Sequence, residues 1–335
     1  MTSPLYGKTL AELSQIVEEL SLPAYSARQI ADWLYKTNVS SINGMSNLSA
    51  KARALLSEKY NIGASEPLAV QTSADGVKKY MFTAFEGKHV ETAFIPDRDR
   101  ATLCVSTQAG CRMGCAFCAT ARQGMQGNLD AAAILNQFRS LPEHKDITNI
   151  VFMGMGEPFD NMDELMKSLE ILTAAYGYAW APKRITVSTA GVLPSIRYFM
   201  DNSRCNLAVS LNHPDPEARC KLMPIENKFP VKRVIELLKS FDLNRQQRIS
   251  FEYIMLGGVN DSLQQANATA RLLSGLRCRV NLIHYHAIPG CSFVPSNDNV
   301  IRQFADTLNQ KGIITTIRRS RGQDINAACG MLSTK

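Results

Sequence analysis

Gly110-Cys111-Arg112-Met113-Gly114-Cys115-Ala116-Phe117-Cys118-Ala119-Thr120-Ala121-Arg122-Gln123-Gly124 is the stretch from which the rest of the chain can be read. Within it Cys111, Cys115 and Cys118 form C-x3-C-x2-C. Three thiolates that close together on one loop can each hold a different iron of a cubic [4Fe–4S] cluster, leaving the fourth iron without a protein ligand. Such an iron can bind a small molecule and pass it an electron. A structural zinc site wants four ligands, usually recruited as paired C-x2-C or His spacings. No second pair follows, because the next cysteine, Cys205, stands alone. The spacing therefore favours a cluster over zinc and over a chance run of buried cysteines.

The composition sets bounds around this motif. A chain of 335 residues can bury a large core, enough for one barrel and a small accessory domain. Hydrophobic residues at 45% and charged ones at 20% are ordinary for a soluble globular protein. The net charge of +7 leans towards a polyanionic partner, too weakly to argue for RNA by itself. Nine cysteines, with no signal peptide and no run of 18 apolar residues, point to a reducing cytoplasm and away from a membrane.

Working outward towards the N-terminus, residues 1–66 read as a helical accessory domain. Leu10, Leu13, Ile16, Val17 and Leu20 recur at helical spacing until Pro23. Ser26 is placed to cap a second helix carrying Ile30, Trp33 and Leu34, and Ser49 a third carrying Ala52, Leu55 and Leu56. Such a unit either packs or docks RNA, and its nearly balanced charges do not decide. Residues 67–97 switch to period two and read as a three-stranded meander linking this domain to the remainder of the chain. In its last strand Glu91 shares a face with Ala93 and Ile95, so it is either an edge charge or a buried base.

From 98 to 335, apolar runs alternate with amphipathic helices. The strands are expected at Thr102–Ser106, Asn149–Met153, Arg184–Thr189, Asn206–Leu211, Ile249–Met255, Val280–Tyr285 and Ile313–Arg318. Alternating β and α implies parallel strands with crossover helices. Six units and a closing strand suit a partial barrel better than a complete eight-unit barrel, and a doubly wound sheet stays open on periodicity alone. In either architecture ligands gather at the carboxyl ends of strands. Those ends carry the cysteine loop, then Gly154-Met155-Gly156-Glu157-Pro158, Ser188-Thr189-Ala190-Gly191 and Ser210-Leu211-Asn212-His213. Glycines there admit close backbone approach, and Glu157 is an acceptor suited to an ammonium group. In the C-terminal stretch Arg318-Arg-Ser-Arg-Gly-Gln-Asp324-Ile-Asn-Ala-Ala-Cys329-Gly330 a thiol follows three arginines, which can lower a thiol pKa or hold phosphates. Cys205, Cys220, Cys278 and Cys291 read as packing residues.

C-x3-C-x2-C with Phe117 before the last cysteine resembles the signature of the radical S-adenosylmethionine enzymes. The text from Cys104-Val-Ser-Thr-Gln-Ala-Gly-Cys111 through Cys118-Ala-Thr narrows this, and nearly the whole chain is similar to the RlmN/Cfr family of RNA adenine methyltransferases. The resemblance implies an α/β fold built as a six-unit open barrel of the radical S-adenosylmethionine type. It implies one [4Fe–4S] cluster on Cys111, Cys115 and Cys118. It puts S-adenosylmethionine contacts at Gly156, Glu157, Ser188, Ser210, Leu211, Asn212 and His286. Many members carry histidine at the Asn212 position and asparagine at the His286 position; both residues here can still hydrogen-bond.

The same resemblance makes Cys329 the methyl-accepting thiol, Cys104 its redox partner and Glu91 the base. Two S-adenosylmethionine molecules are used per turnover: one methylates Cys329, and reductive cleavage of the other gives a 5′-deoxyadenosyl radical that takes hydrogen from that methyl. Addition to adenine, loss of the carbon 2 proton to Glu91 and a Cys104–Cys329 disulfide complete the cycle. The implied substrates are an adenine of 23S rRNA at the peptidyl-transferase centre and an anticodon-adjacent adenine of some tRNAs. Flavodoxin or ferredoxin is the expected electron donor, and a monomer the expected state. Two alternatives remain: carbon 8 methylation, as in the antibiotic-resistance branch, and a non-catalytic iron–sulfur or zinc RNA-binding protein. The text around Val90-Glu91-Thr92 and Arg100–Cys104 reads like the housekeeping branch.

Overall fold

The period-two stretch ahead of the cysteine motif folds as three antiparallel strands, β1 (Ala69–Thr72), β2 (Lys78–Thr83) and β3 (His89–Asp97). β1 is exposed throughout, as an edge strand is, whereas β3 is buried over most of its length. β3 turns directly into β4 (Arg100–Cys104), pairing Asp97 with Arg100 and Ala93 with Cys104. β4 in turn opens a parallel run with β5 (Asn149–Phe152), β6 (Ile185–Thr189), β7 (Asn206–Ser210), β8 (Ile249–Met255), β9 (Arg279–His284) and β10 (Ile314–Arg318). The meander is thus continuous with the barrel sheet: all ten strands hydrogen-bond in chain order, from β1 at one edge to β10 at the other. These elements belong to a computed structural model describing residues 2–85, 87–242 and 247–334.

A helix crosses back after each strand from β4 to β9: Ala131–Arg139, Met162–Thr173, Leu193–Asn202, Val231–Lys239, Leu263–Leu273 and Asp298–Gln310. Each lays an apolar stripe on the sheet, such as Ile301, Phe304, Ala305 and Leu308 of the last. The inner strands are covered on both sides and read as near-continuous apolar runs, with Leu207, Ala208 and Val209 of β7 fully buried. The result is an open, six-unit partial barrel. Among the described residues its sheet does not close, since β10 pairs with β9 alone.

The N-terminal segment forms helices Leu10–Glu19, Ser26–Tyr35 and Ala50–Lys59. Thr9 and Glu12 make a reciprocal capping box on the first, and Ser49 Oγ accepts the Ala52 amide at 3.1 Å on the third. Ser26 does not cap the second. Pro23 has already begun the turn and its carbonyl takes the Ser26 amide at 2.9 Å, so Ser26 lies inside the first turn with Tyr25 at the cap position. These helices share one core with the barrel. Tyr6 joins them across the boundary: its hydroxyl meets that of Tyr178 at 2.7 Å, and the Arg139 guanidinium stacks 4.7 Å above its ring. No helix among the described residues is long and apolar enough to cross a membrane.

Candidate active site

The cysteine loop leaves β4 on a short two-stranded ribbon, Gln108–Gly110 against Met125–Asn128. Gly110 is obligatory there: at φ +72° its Cβ would stand 1.8 Å from the Gly124 carbonyl oxygen. The loop is then pinned through its backbone, Ala116 to the Leu222 carbonyl at 2.9 Å and Ala119 to that of Gly330 at 2.8 Å. Phe117, Leu222, Met223 and Tyr285 pack behind Cys115 and Cys118 as a separate apolar cluster, with Cys291 at its edge. Behind the loop lies an ion pair that sequence reasoning missed, Arg219 with Glu226, both buried. Arg219 also donates to the carbonyls of Ala190, Ser210 and Leu211 at 2.7–2.9 Å, tying the ends of β6 and β7 together.

Cys111, Cys115 and Cys118 line one cavity of about 710 Å³ at the carboxyl ends of the parallel strands. Gly156, Glu157, Ser188, Ser210, Asn212, His286, Cys104 and Cys329 line the same space. Residues separated by more than 200 positions are thereby brought around one ligand-sized void. Leu211 is the exception. Its side chain is buried in the main core, its amide donates to the Glu252 carbonyl at 2.9 Å, and its own carbonyl is taken by Arg219. It has no free polar group for a ligand.

Glu157 is buried, with one oxygen accepting the Ala190 amide at 2.7 Å and the other the Phe159 amide at 3.1 Å. Burial outweighs these bonds and pushes its carboxyl up to about 7. A cation at its free lone pairs would restore the charge. Gly156 beside it has φ +99°, and any Cβ would come within 2.6 Å of Gln108, whose side-chain oxygen takes the Glu157 amide at 2.8 Å. Asn212 adopts φ +56°, a left-handed conformation asparagine tolerates well. Its side-chain oxygen accepts the Ile254 amide at 2.8 Å and its nitrogen meets Met223 Sδ at 3.1 Å, so its polar atoms are already engaged in holding the turn. His286 pairs with the Ser320 hydroxyl.

The C-terminal segment forms the opposite wall. Asp324 accepts the Ser73 hydroxyl at 2.5 Å and the Ala74 amide at 3.1 Å, and Arg321 grips Asp75 at 3.1 Å. Farther on, Thr120 donates to the Leu332 carbonyl at 2.6 Å. Between these clamps Cys329 is exposed and borders the cavity, beside the Arg318 guanidinium. Cys104 is buried among Val77, Ala93 and Ala327, and it lies close enough to Cys329 for the two thiolates to repel. Both are free thiols. Burial pushes Cys104 up to about 12, with the Cys329 charge adding to it; Cys329 is raised too, because the cavity wall desolvates its sulfur although the residue reaches the surface, while Arg318 pulls the other way.

Glu91 is not in this cavity. It borders a second one on the far side of the C-terminal segment, with Lys79, Arg122, Met331 and Ser333. The carboxylate is 6% exposed and sits 2.9 Å from the buried Lys79 ammonium, while its other oxygen accepts the Ser333 amide at 2.9 Å. The edge-charge reading is thereby excluded, and so is the expectation of purely apolar surroundings. Lys79 was legible only through pairing: β2 runs antiparallel to β3, with Met81 opposite Glu91, and places Lys79 on the same face one pleat along.

The loop and barrel together define a radical S-adenosylmethionine enzyme. Residues 105–270 match the radical SAM superfamily, and residues 4–62 match the ribosomal RNA large subunit methyltransferase N-terminal domain. The "Probable dual-specificity RNA methyltransferase RlmN" of Parabacteroides distasonis is 54% identical over 98% of this chain and 96% of its own length. The dual-specificity RNA methyltransferase RlmN of Syntrophus aciditrophicus is 39% identical over 98% and 95%. Among solved structures, a radical SAM methyltransferase from Sphaerobacter thermophilus superposes with a TM-score of 0.93 at 37% identity, covering 99% of this chain and 100% of that one. The chain belongs to the RlmN family of radical S-adenosylmethionine RNA methyltransferases.

Membership implies a [4Fe–4S] cluster and S-adenosylmethionine. The residues present fit the cluster. Burial and the neighbouring thiols push Cys115 well above the usual thiol range, and burial takes Cys111 to about 12, so these sulfurs hold negative charge only against a cationic centre. Among the described residues no three His, Cys, Asp or Glu side chains are gathered around a single-ion site. A cubane asks for less crowding, since each thiolate meets a different iron.

Proposed function

We propose that the enzyme methylates carbon 2 of a specific adenine in 23S rRNA, and an anticodon-adjacent adenine of some tRNAs, through a methyl group carried on Cys329. The observation that carries this reading is the meeting of Cys104, Arg318 and Cys329 with the three cluster cysteines around one cavity. Carbon 2 of adenine is electron-poor, so a polar methyl transfer from a sulfonium has no low barrier there. When bound, the cluster would supply the electron that releases a 5′-deoxyadenosyl radical from S-adenosylmethionine.

The chain's own residues would do the rest. Glu157 holds the ammonium group of S-adenosylmethionine, and Gly156, Ser188, Ser210 and His286 border the remainder. Arg318 stabilises the Cys329 thiolate for its displacement on a first S-adenosylmethionine. Cys104, held as a thiol by burial until then, gives up its proton and attacks the Cys329 sulfur once the methyl carbon is joined to the base; the sulfur–carbon bond breaks, and its electron pair stays on that carbon, which takes up a proton. Glu91 takes the carbon 2 proton. Its position behind the C-terminal segment means that this segment shifts as the adenine enters. Two S-adenosylmethionine molecules are consumed per turnover, with a small electron carrier such as flavodoxin or ferredoxin as donor.

The test is to incubate the reduced holoenzyme with unmodified rRNA and tRNA and identify the methyladenosine by mass-spectrometric fragmentation. 2-Methyladenosine is expected in both; 8-methyladenosine would move the enzyme to the other branch, and no methyladenosine would refute the reading.

A further inference from the structure

Glu252 has no part in the chemistry above, yet it is a buried carboxylate on the wall of the same cavity. It lies on β8 in register with Asn281 of β9, which is in register with Thr316 of β10. The three make a polar ladder: Thr316 donates to Asn281 Oδ1 at 2.5 Å, and Asn281 Nδ2 donates to Glu252 Oε1 at 2.8 Å. Ser250 adds a second donor to Oε1 at 2.9 Å. One oxygen is therefore held from two sides. The other, Oε2, is buried with no hydrogen-bond partner and stands 3.9 Å from Arg318 Nη1. A carboxylate oxygen left unpaired in a buried position costs free energy. Arg318 could relieve it with a small movement, but Nη1 is spent on Met153 Sδ at 3.7 Å, and the guanidinium answers to two anions at once, Glu252 first and the Cys329 sulfur second.

We propose that Glu252 is a positioning residue that competes with the Cys329 thiolate for Arg318, receiving the guanidinium once Cys329 is methylated. This rests on Cys329 being the methyl carrier. The Cys329 thiol first loses its proton to solvent. Its sulfur pair then forms the bond to the methyl carbon while the sulfonium bond breaks, and S-adenosylhomocysteine leaves with that pair. The anion beside Arg318 is thereby replaced by a neutral thioether. Glu252 is then the nearest anion, and the ladder holds it ready. The guanidinium swings from the carrier to β8, clearing space at the methyl group and leaving no buried charge unpaired. The groups whose charge acts on Cys329 are Arg318 on β10 and Glu252 on β8, with Cys104 on β4 coupled to it; the loop thiols Cys111, Cys115 and Cys118, Glu157, His284, His286, Arg319, Arg321, Asp97 and Arg100 line the same cavity.

Iodoacetamide alkylation of Cys329, followed by peptide mass spectrometry from pH 6 to 10, tests this in anaerobic holoenzyme whose Cys329 peptide has the unmodified mass. This readout is independent of RNA methylation, whose loss on Cys329→Ala tests the carrier role separately. Glu252→Gln leaves Arg318 to the thiolate alone and moves the midpoint down by about one pH unit. At pH 7 the rate then rises about threefold, because a tenfold gain in thiolate is partly offset by its lower nucleophilicity. Glu252→Asp, which withdraws the charge by one methylene, falls between Gln and wild type, and it decides the matter if Glu252→Gln does not fold. Profiles of either folded variant that superimpose on wild type overturn the proposal. Equal shifts for Gln and Asp also overturn it, because they make Glu252 a packing residue.

Discussion

The two walls of the cavity are built on opposite principles. The strand-end wall consists of the cysteine loop, Gly156–Glu157 and the turns after β6 and β7, and backbone hydrogen bonds and the Arg219–Glu226 pair fix it in place. The wall formed by the C-terminal segment is held mainly by side-chain clamps, Ser73–Asp324, Asp75–Arg321 and Thr120–Leu332, with one backbone bond from Ala119 to Gly330, around a left-handed turn at Gly322 and Asn326. A cluster and its cofactor need fixed ligands, because electron transfer and radical release tolerate little drift. In the proposed cycle the carrier thiol faces a methyl donor, then a base, then a second thiol, and a wall of polar clamps can rearrange between those tasks.

The largest effect separates the walls outright. Cys111→Ala, Cys115→Ala or Cys118→Ala should abolish colour, iron content and turnover together, since no other described cysteine lines that end of the cavity. Iron analysis and visible absorption of anaerobically purified protein check this, and an active colourless variant would sink the cluster reading. Changes in the C-terminal wall should leave the colour untouched. Cys329→Ala should be brown and unable to move any carbon to RNA. Cys104→Ala should also be brown, yet should accumulate a covalent protein–RNA adduct through Cys329, seen as a nuclease-sensitive shift on a denaturing gel. Trapping by both variants, or by neither, would break the division of labour between the thiols.

How much of this was legible in the sequence follows the same divide. The cluster loop is a local pattern, so three cysteines at two spacings were enough to read it. The barrel was legible because parallel strands buried on both faces leave long apolar runs, and the strand-end glycines and carboxylate followed from topology. The C-terminal wall was read only by resemblance, since its chemistry depends on partners from β2, β8 and β10 that periodicity does not align. Glu252 shows the limit. A carboxylate inside Ile249–Met255 is as conspicuous as Glu91 inside its own strand, but its significance comes from Asn281 and Thr316 on the two strands beyond it. Ser26 failed for a different reason, because capping depends on where the preceding proline has already turned the chain.

Glu91 tests where the boundary between the walls lies. Glu91→Gln should lower turnover by about 100-fold or more if it is a general base, with Cys329 methylation intact. The substitution also strands Lys79, and breaking a buried pair costs roughly 3–5 kcal/mol, so a lower melting temperature is expected as well. The double variant Lys79→Gln/Glu91→Gln separates the two effects. It should recover much of the melting temperature and none of the turnover, whereas recovery of both would leave the pair a purely structural feature.

The smallest effect belongs to the strand-end wall and has a defined sign. The Glu157 carboxyl, pushed to about 7 by burial, binds its proton more tightly in the folded protein than in the unfolded chain, where 4.5 is usual. Its burial therefore removes stability as pH rises from about 4.5 towards 7, the reverse of an ordinary ion-paired carboxylate. A bound ammonium group pairs only with the ionised form, so binding releases a proton and weakens as pH falls. Between pH 8 and pH 6 the ionised fraction of a group titrating near 7 drops about tenfold. The affinity of the holoenzyme for S-adenosylmethionine, measured by calorimetry, should fall by the same factor. Glu157→Gln should bind more weakly at pH 8 and lose the slope. A wild-type profile that is flat over this range would show that Glu157 is held ionised without the ligand, and the ammonium contact would lose its physical basis.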